Sequence, residues 1–474
     1  MHHRPLTVAN GNLKGWDLKL NPVDYFADQL SPAAVAKIYQ LSPQWAIAKL
    51  RAHRFRQVVR YVGRHSEFYR KAFRERGIDP RTVHTPADLG DFYTTPEDIV
   101  TDPKAFICQT PNIVFESSGT SGKNKQIYYN HKELSQIGQI DAAGLQLMGL
   151  TPTDRVANAF DFSMWIPGML VHNALMAANT FCMAFGKVDP LEVYRRLKQY
   201  QFNVIMGEPT WLIRLTELAE EHGSVPLKLL IGGAEEMPRE AIGWMNRVWQ
   251  GAKVRMCYGS VELGGGLGYQ PCDQADIYHV DDTDFYPEII EPDANGLGEL
   301  VFTTLRRTVM PLLRYRTRDV TRLIPEQCPC GLRGMRMARL RGRRDELIVA
   351  SGGNLYPLMF ENILRPVQGL THDWQVQFKL EALREIMEIH VECAGIDETV
   401  LRRDIQQQMR LQYPDLIKNL DIGIFDLRIV THPPGFLRSN RKLKRMVDHR
   451  YDHAEVAAMQ DVATAGSKEA AHVG

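Results

Sequence analysis

Val204-Ile205-Met206-Gly207, then residues 211–222, then Leu227-Lys228-Leu229-Leu230-Ile231 running into Gly232-Gly233: this stretch decides the fold. The first run is short, apolar and closed by glycine, which is the pattern of a buried strand. Residues 211–222 read as the helix after it, and the leucine-rich run as the next strand. Residues 237–249 then form the next helix and 253–258 the next strand. Strands that alternate with helices imply a parallel or mixed sheet covered by helices. Ligands of such sheets bind beyond the carboxyl ends of the strands. The glycine, glutamate and tyrosine clusters of this chain fall at those ends.

Upstream, residues 32–76 read as helical, with Ile47, Leu50, Phe55, Val58 and Val59 at helical spacing. The many basic residues between them are what a solvated helix face carries. A strand at Ile113-Val114-Phe115 leads into a loop of small residues. Downstream, residues 287–324 are mainly β, with runs such as Leu300-Val301-Phe302-Thr303-Thr304. Residues 341–345 are dense in charge, contain Gly342 and read as a linker. A smaller unit follows, with strands near 375–378 and 388–393 and a helix over 399–411. The expected fold is α/β: a large N-terminal domain (1–343) of β-sheets covered by helices, plus a small mobile α+β domain (344–453). The small, polar stretch 454–474 is expected to be an unstructured tail.

The chain has 474 residues, 44% hydrophobic and 24% charged, with formal net charge +1. That is ordinary for a soluble globular protein. The charge balance gives no long-range attraction for nucleic acid or an anionic membrane. The N-terminus lacks the apolar stretch of a signal peptide, and no run approaches the ~20 apolar residues a bilayer span needs. The most apolar neighbourhood, 164–185, is broken by Pro167, His172, Asn173 and Asn179 and reads as a buried core segment. Seven scattered cysteines do not form a disulfide framework. Cytoplasmic location is the expectation.

The loop after the first strand is Ser117-Ser118-Gly119-Thr120-Ser121-Gly122-Lys123. Its glycines and hydroxyls let backbone N–H groups turn inward around phosphate oxygens, and Lys123 and Lys125 add positive charge. Alone, such a segment is equally a flexible turn, and its glycine spacing is not that of a P-loop. Further motifs follow in order. They are Tyr258-Gly259-Ser260-Val261-Glu262, Tyr315-Arg316-Thr317-Arg318-Asp319, Gly342-Arg343-Arg344-Asp345, Gly352-Gly353-Asn354-Leu355-Tyr356-Pro357 and Arg438-Ser439-Asn440-Arg441-Lys442-Leu443-Lys444-Arg445. Singly, each could be a turn, a surface ion-pair run or a solvated helix face.

In this order, from about Ile47 to Arg450, they resemble the superfamily of acyl-CoA synthetases, nonribosomal adenylation domains and luciferases. The phenylacetate–CoA ligase branch is the most similar, through Pro311-Leu312-Leu313-Arg314-Tyr315-Arg316-Thr317-Arg318-Asp319, the Cys-Pro-Cys-Gly after it and the basic ending. The resemblance implies that residues Ser117 to Lys123 hold the β- and γ-phosphates of ATP, and that Gly233, Ala234 and Glu235 line the adenine. It implies that Tyr258, with Gly259 and Ser260 beside it, stacks on the adenine. Glu262 would ligate Mg²⁺, Asp319 would bind the ribose hydroxyls, and Arg343 the phosphates or the ribose. Asp345 falls at the family's hinge.

Lys442 matches the family's mobile catalytic lysine. A carboxylate attacking an α-phosphate brings two anions together, and an ammonium between them stabilises the transition state. Two departures stand out. Arg441 occupies a position where the family usually has glycine, and a Thr-Gly-Gly stretch expected before the acyl pocket reads Phe160-Asp161-Phe162-Ser163-Met164-Trp165-Ile166-Pro167-Gly168 instead. Phe162, Trp165 and His172 are the candidates to line that pocket.

Cys328 and Cys330 flank a proline, and Gly331 follows, as in metal knuckles. Some members of the resembled branch carry matching cysteines and a histidine that bind zinc. Cys272, His279, Cys328 and Cys330 would complete a structural Cys₃His set; buried inert thiols and a core histidine are the alternative.

The implied function is a two-step acid–thiol ligase. Acid and ATP give an acyl-adenylate and pyrophosphate; the thiol of coenzyme A then displaces AMP after rotation about Asp345. An aromatic or arylacetic acid is the expected substrate. A second hypothesis keeps adenylation and passes the group to an amine, a carrier-protein thiol or a cofactor phosphate. A third is a nucleotide-binding module without catalysis. The assembly is open, with a homodimer among the options.

Overall fold

The computed structural model describes residues 30–117, 124–274, 276–344, 348–393, 395–437 and 443–450. The chain divides into two compact units, Met1–Asp345 and Glu346–Gly474. Ser118 to Lys123, Asp345, Lys442 and the stretch 454–474 lie outside the described residues.

In the first unit, β1 (Ile113–Ser117) and β2 (Lys125–Tyr129) form an antiparallel hairpin around the small-residue loop. Next come β3 (Arg155–Asn158), β4 (Phe181–Ala184), β5 (Val204–Gly207), β6 (Leu229–Gly232), β7 (Lys253–Ser260), β8 (Gly265–Tyr269) and β9 (Ile277–Val280). A separate antiparallel sheet holds β10 (Phe285–Ile290), β11 (Gly298–Thr304) and β12 (Tyr315–Thr321). Strands β13 (Leu323–Ile324) and β14 (Arg336–Ala338) return to the large sheet, whose order is β13-β14-β9-β8-β7-β6-β5-β3-β4. Strands β3 to β7 are parallel, and β7 onward pair antiparallel.

The chain leaves β3 towards β4 on one side, then continues on the other side through β5, β6 and β7. That reversal opens a crevice at the carboxyl ends of the strands. Every residue of β5 and β6 is buried, as parallel strands covered on both faces should be. The helix Pro209–His222 starts with proline at its first turn, where no N–H partner is lost, and buries Trp211, Leu212, Leu215 and Leu218. Val204, Met206, Leu229 and Ile231 pack with Phe160 and Leu175 into one core. Truncating any of its Leu or Ile side chains to alanine would cost about 2–5 kcal/mol.

Three expectations change. The helical stretch 32–76 is three helices, Pro32–Leu41, Gln44–His65 and Glu67–Glu75, because Pro43 and Ser66 hold extended backbone between them. The apolar neighbourhood 164–185 is not wholly buried: Met164 is exposed before helix Pro167–Ala177, Met176 is exposed on that helix, which buries only one face, and Phe181 is exposed on the edge strand β4. The charged segment 341–345 is not a free linker over its described part. Arg341 N donates to Val320 O and Val320 N to Gly342 O, and Arg344 N donates to Arg318 O at 2.7 Å. Its charges find partners, Arg343 on Asp319 and Arg344 on Glu291, which lays the segment along β12.

The second unit contains a two-stranded ribbon of β15 (Ile348–Ala350) and β16 (Gly353–Leu355). It also has a sheet of β17 (Leu370–Glu381), β18 (Arg384–Cys393), β19 (Asp426–His432) and β20 (Met446–Asp448), ordered β19-β18-β17-β20. Helices Pro357–Leu364, Glu398–Gln412 and Pro414–Asp421 accompany it. No described helix is long and apolar enough to cross a membrane.

Candidate active site

At the end of β7, Tyr258 lies buried and its hydroxyl donates to Asp319 Oδ2 at 2.6 Å. Arg343 Nη1 donates to the other oxygen, Oδ1, also at 2.6 Å. Burial, then the Asp319 carboxylate, push the Tyr258 phenol well above its ordinary range, so it remains a donor. Three motifs separated by up to 85 positions thus meet in one hydrogen-bonded string. Gly259 is needed here because a Cβ would stand 2.6 Å from the carbonyl oxygen of Gly265. The Oγ of Ser260 accepts from Leu263 N and closes the turn leading to Glu262.

Glu262 is buried, and its contacts with Ser117, Lys125 and Tyr315 all fall on one oxygen. Ser117 Oγ donates to Oε1 at 2.9 Å, Lys125 Nζ sits at 2.7 Å and Tyr315 OH at 3.3 Å. Burial pulls this acid upward, but the Lys125 ammonium and the hydrogen bonds outweigh it and hold the carboxyl at about 2. Glu262 is therefore an anion throughout the neutral range. Its Oε2 takes none of these three contacts, and a carboxylate oxygen is the hard donor that a divalent cation selects. Lys125 and Tyr315 were visible as a loop-side charge and a motif residue, but their pairing with Glu262 depends on β2 and β12 meeting in space.

Beyond β6, Gly233 packs against Cys257 and Phe160, and Ala234 is exposed with φ 71°. The Glu235 side chain turns to Thr210, whose N and Oγ1 donate to Oε2 at 3.2 and 2.8 Å. Of the three acyl-pocket candidates, the structure brings Phe162 and His172 together, edge to face at 6.1 Å. Trp165 is half-buried and makes no hydrogen bond or ring contact among the described residues.

The cysteine–histidine set converges. His279 sits on β9 opposite Arg336 of β14; Cys272 follows β8, and Cys328 and Cys330 precede β14. Cys272 Sγ lies 3.7 Å from His279 Nε2 and 3.8 Å from Cys328 Sγ, and Cys330 Sγ lies 3.6 Å from His279 Nε2. All four ligand atoms fall within 4.8 Å of one another. Tetrahedral zinc with Zn–S of ~2.3 Å and Zn–N of ~2.05 Å has edges of about 3.8 Å between sulfurs and about 3.5 Å from sulfur to nitrogen. The three sulfurs are free thiols, too far apart for a disulfide and spaced as such an ion requires. Burial and Arg336 hold the His279 imidazole at about 4, leaving it neutral, the form that ligates.

In the second unit, Glu392 of β18 is buried and accepts from Gly435 N at 2.8 Å and Leu437 N at 2.7 Å. It ties down the backbone that leads towards Lys442, a role no sequence motif announced.

Two family models match the chain: AMP-binding enzyme over residues 95–285, and AMP-binding enzyme C-terminal domain over 352–450. Among curated proteins, the phenylacetate-coenzyme A ligase of Thermus thermophilus is 27% identical over 438 residues, covering 86% of this chain and 98% of that protein. That of Escherichia coli is 26% identical over 442 residues, covering 89% and 98%. Among solved structures, a 2-hydroxyisobutyryl-CoA ligase in its thioesterification state superposes with TM-score 0.75 at 20% identity, over 90% of this chain and 94% of that one. The last comparison establishes the fold.

Proposed function

Since this chain belongs to the AMP-binding enzymes, we propose that it is an AMP-forming acid–thiol ligase that activates an aromatic or arylacetic acid with ATP and passes the acyl group to coenzyme A. The observation that carries this reading is the string Tyr258–Asp319–Arg343 beside an ionised Glu262. It supplies a ring face, a diol acceptor, a phosphate-binding cation and a metal-binding carboxylate where the end of β7 meets β12. Nearly full-length similarity to phenylacetate-coenzyme A ligases supports the same chemistry.

In the first half-reaction the acid's carboxylate attacks the α-phosphate, forming the acyl-adenylate and releasing pyrophosphate. Ser117 and the loop after it hold the β- and γ-phosphates, with Arg343 on the nucleotide's phosphate or ribose. Asp319 takes the ribose hydroxyls, and Gly233, Ala234 and Glu235 line the adenine through their backbone, with Tyr258 against its face. Glu262 would hold the Mg²⁺ that accompanies ATP, which would supply neutralisation of phosphate charge. Lys442 is the cation assigned to this step. In the second half-reaction the coenzyme A thiol attacks the acyl carbonyl and AMP leaves, with Asp345 as the pivot between the two steps. Phe162, Trp165 and His172 belong to the acyl pocket in this reading. Cys272, His279, Cys328 and Cys330 would hold a zinc ion in a structural role. A reducing cytoplasm would keep the thiols available as ligands.

The test is AMP release from a panel of carboxylic acids, with and without coenzyme A, together with Lys442→Ala. We expect coenzyme A-dependent AMP release that the variant lowers by roughly 100-fold or more. Adenylate formation unchanged in Lys442→Ala would sink the mechanism. Pyrophosphate exchange without coenzyme A consumption would point to a different acceptor.

A further inference from the structure

Four charged side chains stand at the carboxyl ends of neighbouring parallel strands, around the point where the sheet reverses its winding. Asp161 follows β3, Lys187 follows β4, Glu208 follows β5 and Glu235 follows β6. Lys187 Nζ lies 2.5 Å from Glu208 Oε2, and the side chains keep only 9% and 14% of their exposure. The ammonium also feels Glu235 and Asp161, so one cation faces three acids. Strands β5 and β6 behind them are sealed on both faces, whereas Asp161, Lys187, Glu208, Thr210 and Glu235 are all half-buried. That is the pattern of a lined recess. Phe162 borders it, its ring 3.7 Å from where a Cβ on Gly186 would stand, next to Lys187.

Two buried oxygens of this cluster accept no hydrogen bond, Glu208 Oε2 and Glu235 Oε1, and only the first has the Lys187 ammonium against it. Glu235 Oε2 takes both donors of Thr210, while Oε1 is shut off from solvent and accepts nothing. A buried acceptor without a donor costs about 1–3 kcal/mol, and native proteins rarely leave one unless a ligand or water supplies the missing bond. An apolar phenyl group would leave that cost in place. A hydroxyl or amino group would remove it.

We propose that the acid activated here carries a hydrogen-bond donor, hydroxyl or amino, on its acyl part, and that Glu235 reads this group while the Lys187–Glu208 pair holds the Glu235 carboxylate in place. Glu235 and Lys187 are specificity-determining groups, and the preferred substrates are hydroxy- or amino-substituted aromatic acids rather than their unsubstituted parents. The inference rests on the ligase reading above and names the substrate class of that same site.

The experiment uses the full chain and AMP release with coenzyme A present. Matched acids are compared: phenylacetate with its 3- and 4-hydroxy derivatives, and benzoate with its 4-hydroxy and 4-amino derivatives. We expect kcat/KM for at least one donor-bearing acid to exceed that of its parent by on the order of 100-fold, because a polar site rejects an analogue that leaves its groups unpaired. Glu235→Leu should collapse the ratio towards one; Glu235→Gln, which keeps an acceptor oxygen and the shape, should retain part of it. Lys187→Met should lower the ratio as well. Using the ratio cancels any effect on nucleotide binding. Ratios within about threefold for every pair, or a ratio unchanged in Glu235→Leu, would overturn the inference and leave the ligase reading standing. No AMP release from any acid would overturn both.

Discussion

Two carboxylates at strand ends, Glu262 after β7 and Glu235 after β6, live under opposite rules. Glu262 has a cation of its own at 2.7 Å and two hydroxyl donors on the same oxygen. Its acidity is held at about 2 although it is buried. Glu235 has donors from Thr210 on one oxygen, none on the other, and must share Lys187 with Glu208. Burial, then Glu208, raise it against the pull of Lys187. The first group is held ionised by a cation of its own and fits a partner that is always the same, the cation that comes with ATP. The second is left unfinished, which suits the part of the reaction that differs between ligases.

The sharpest way to break this contrast is to remove the charge of the carboxylate that has its own cation. Glu262→Gln keeps the shape and loses the charge, and pyrophosphate exchange should fall by roughly 100- to 1000-fold. Lys125→Met should cost about 3–5 kcal/mol in denaturant unfolding, because it strands a buried anion. If Lys125→Met were neutral, the pair would not be what holds Glu262 ionised.

The cysteine cluster is a third kind of group, unfinished until an ion arrives. Purified protein should carry one zinc per chain, and Cys330→Ser should lose it. The expected penalty is about 2–3 kcal/mol, a drop of roughly 5–10 °C in Tm. A chelator should lower the wild-type Tm and leave that of the variant unchanged. Equal chelator sensitivity in both would remove zinc from the site.

Much of this contrast was readable in the chain, and what was not shares one cause. The alternation from Val204 to Tyr258 laid out the parallel strands, since buried strands and amphipathic helices leave strong periodic marks. Tyr258, Glu262, Asp319 and Arg343 could be named from ordered motifs. Lys125 and Tyr315 could not be assigned to Glu262, because their contacts join residues 137 and 53 positions away and register between sheets leaves no local signature. Lys187 and Glu208 were unmarked for the same reason. The segment 341–345 misled because charge density resembles a linker until Asp319 and Glu291 appear opposite its arginines.

Asp141 separates the effect of a cation from that of hydrogen bonds. It accepts from Tyr269 OH at 2.8 Å and Gly266 N at 3.2 Å, yet stands at about 7, because burial outweighs those bonds and Asp284 adds to it. A carboxyl raised in the folded state keeps its proton while the unfolded chain loses it. Stability from this group therefore falls as pH rises from about 4 to about 7, then levels. Asp141→Asn should flatten that decline and gain about 1–3 kcal/mol at pH 8. A variant that is less stable at pH 8 would mean that the Tyr269 and Gly266 bonds need the anion.

The smallest effect is the most discriminating for Glu235. Its pKa is raised, so in the substrate-free protein its ionisation opposes folding, and stability should decline as pH climbs above the ordinary glutamate value. Glu235→Gln should then stabilise the free protein by about 1 kcal/mol at pH 8 and lose the advantage near pH 4. The opposite sign would show that Lys187 is Glu235's own partner and that the cluster is complete without substrate. Glu262→Gln must behave the other way, losing stability at pH 8, because the lowered pKa of Glu262 stabilises the fold above about 4, an effect that fades only towards about 2. Two isosteric changes, 27 positions apart and of opposite sign, would mark one carboxylate as built for the fold with its nucleotide and the other as held open for the acid.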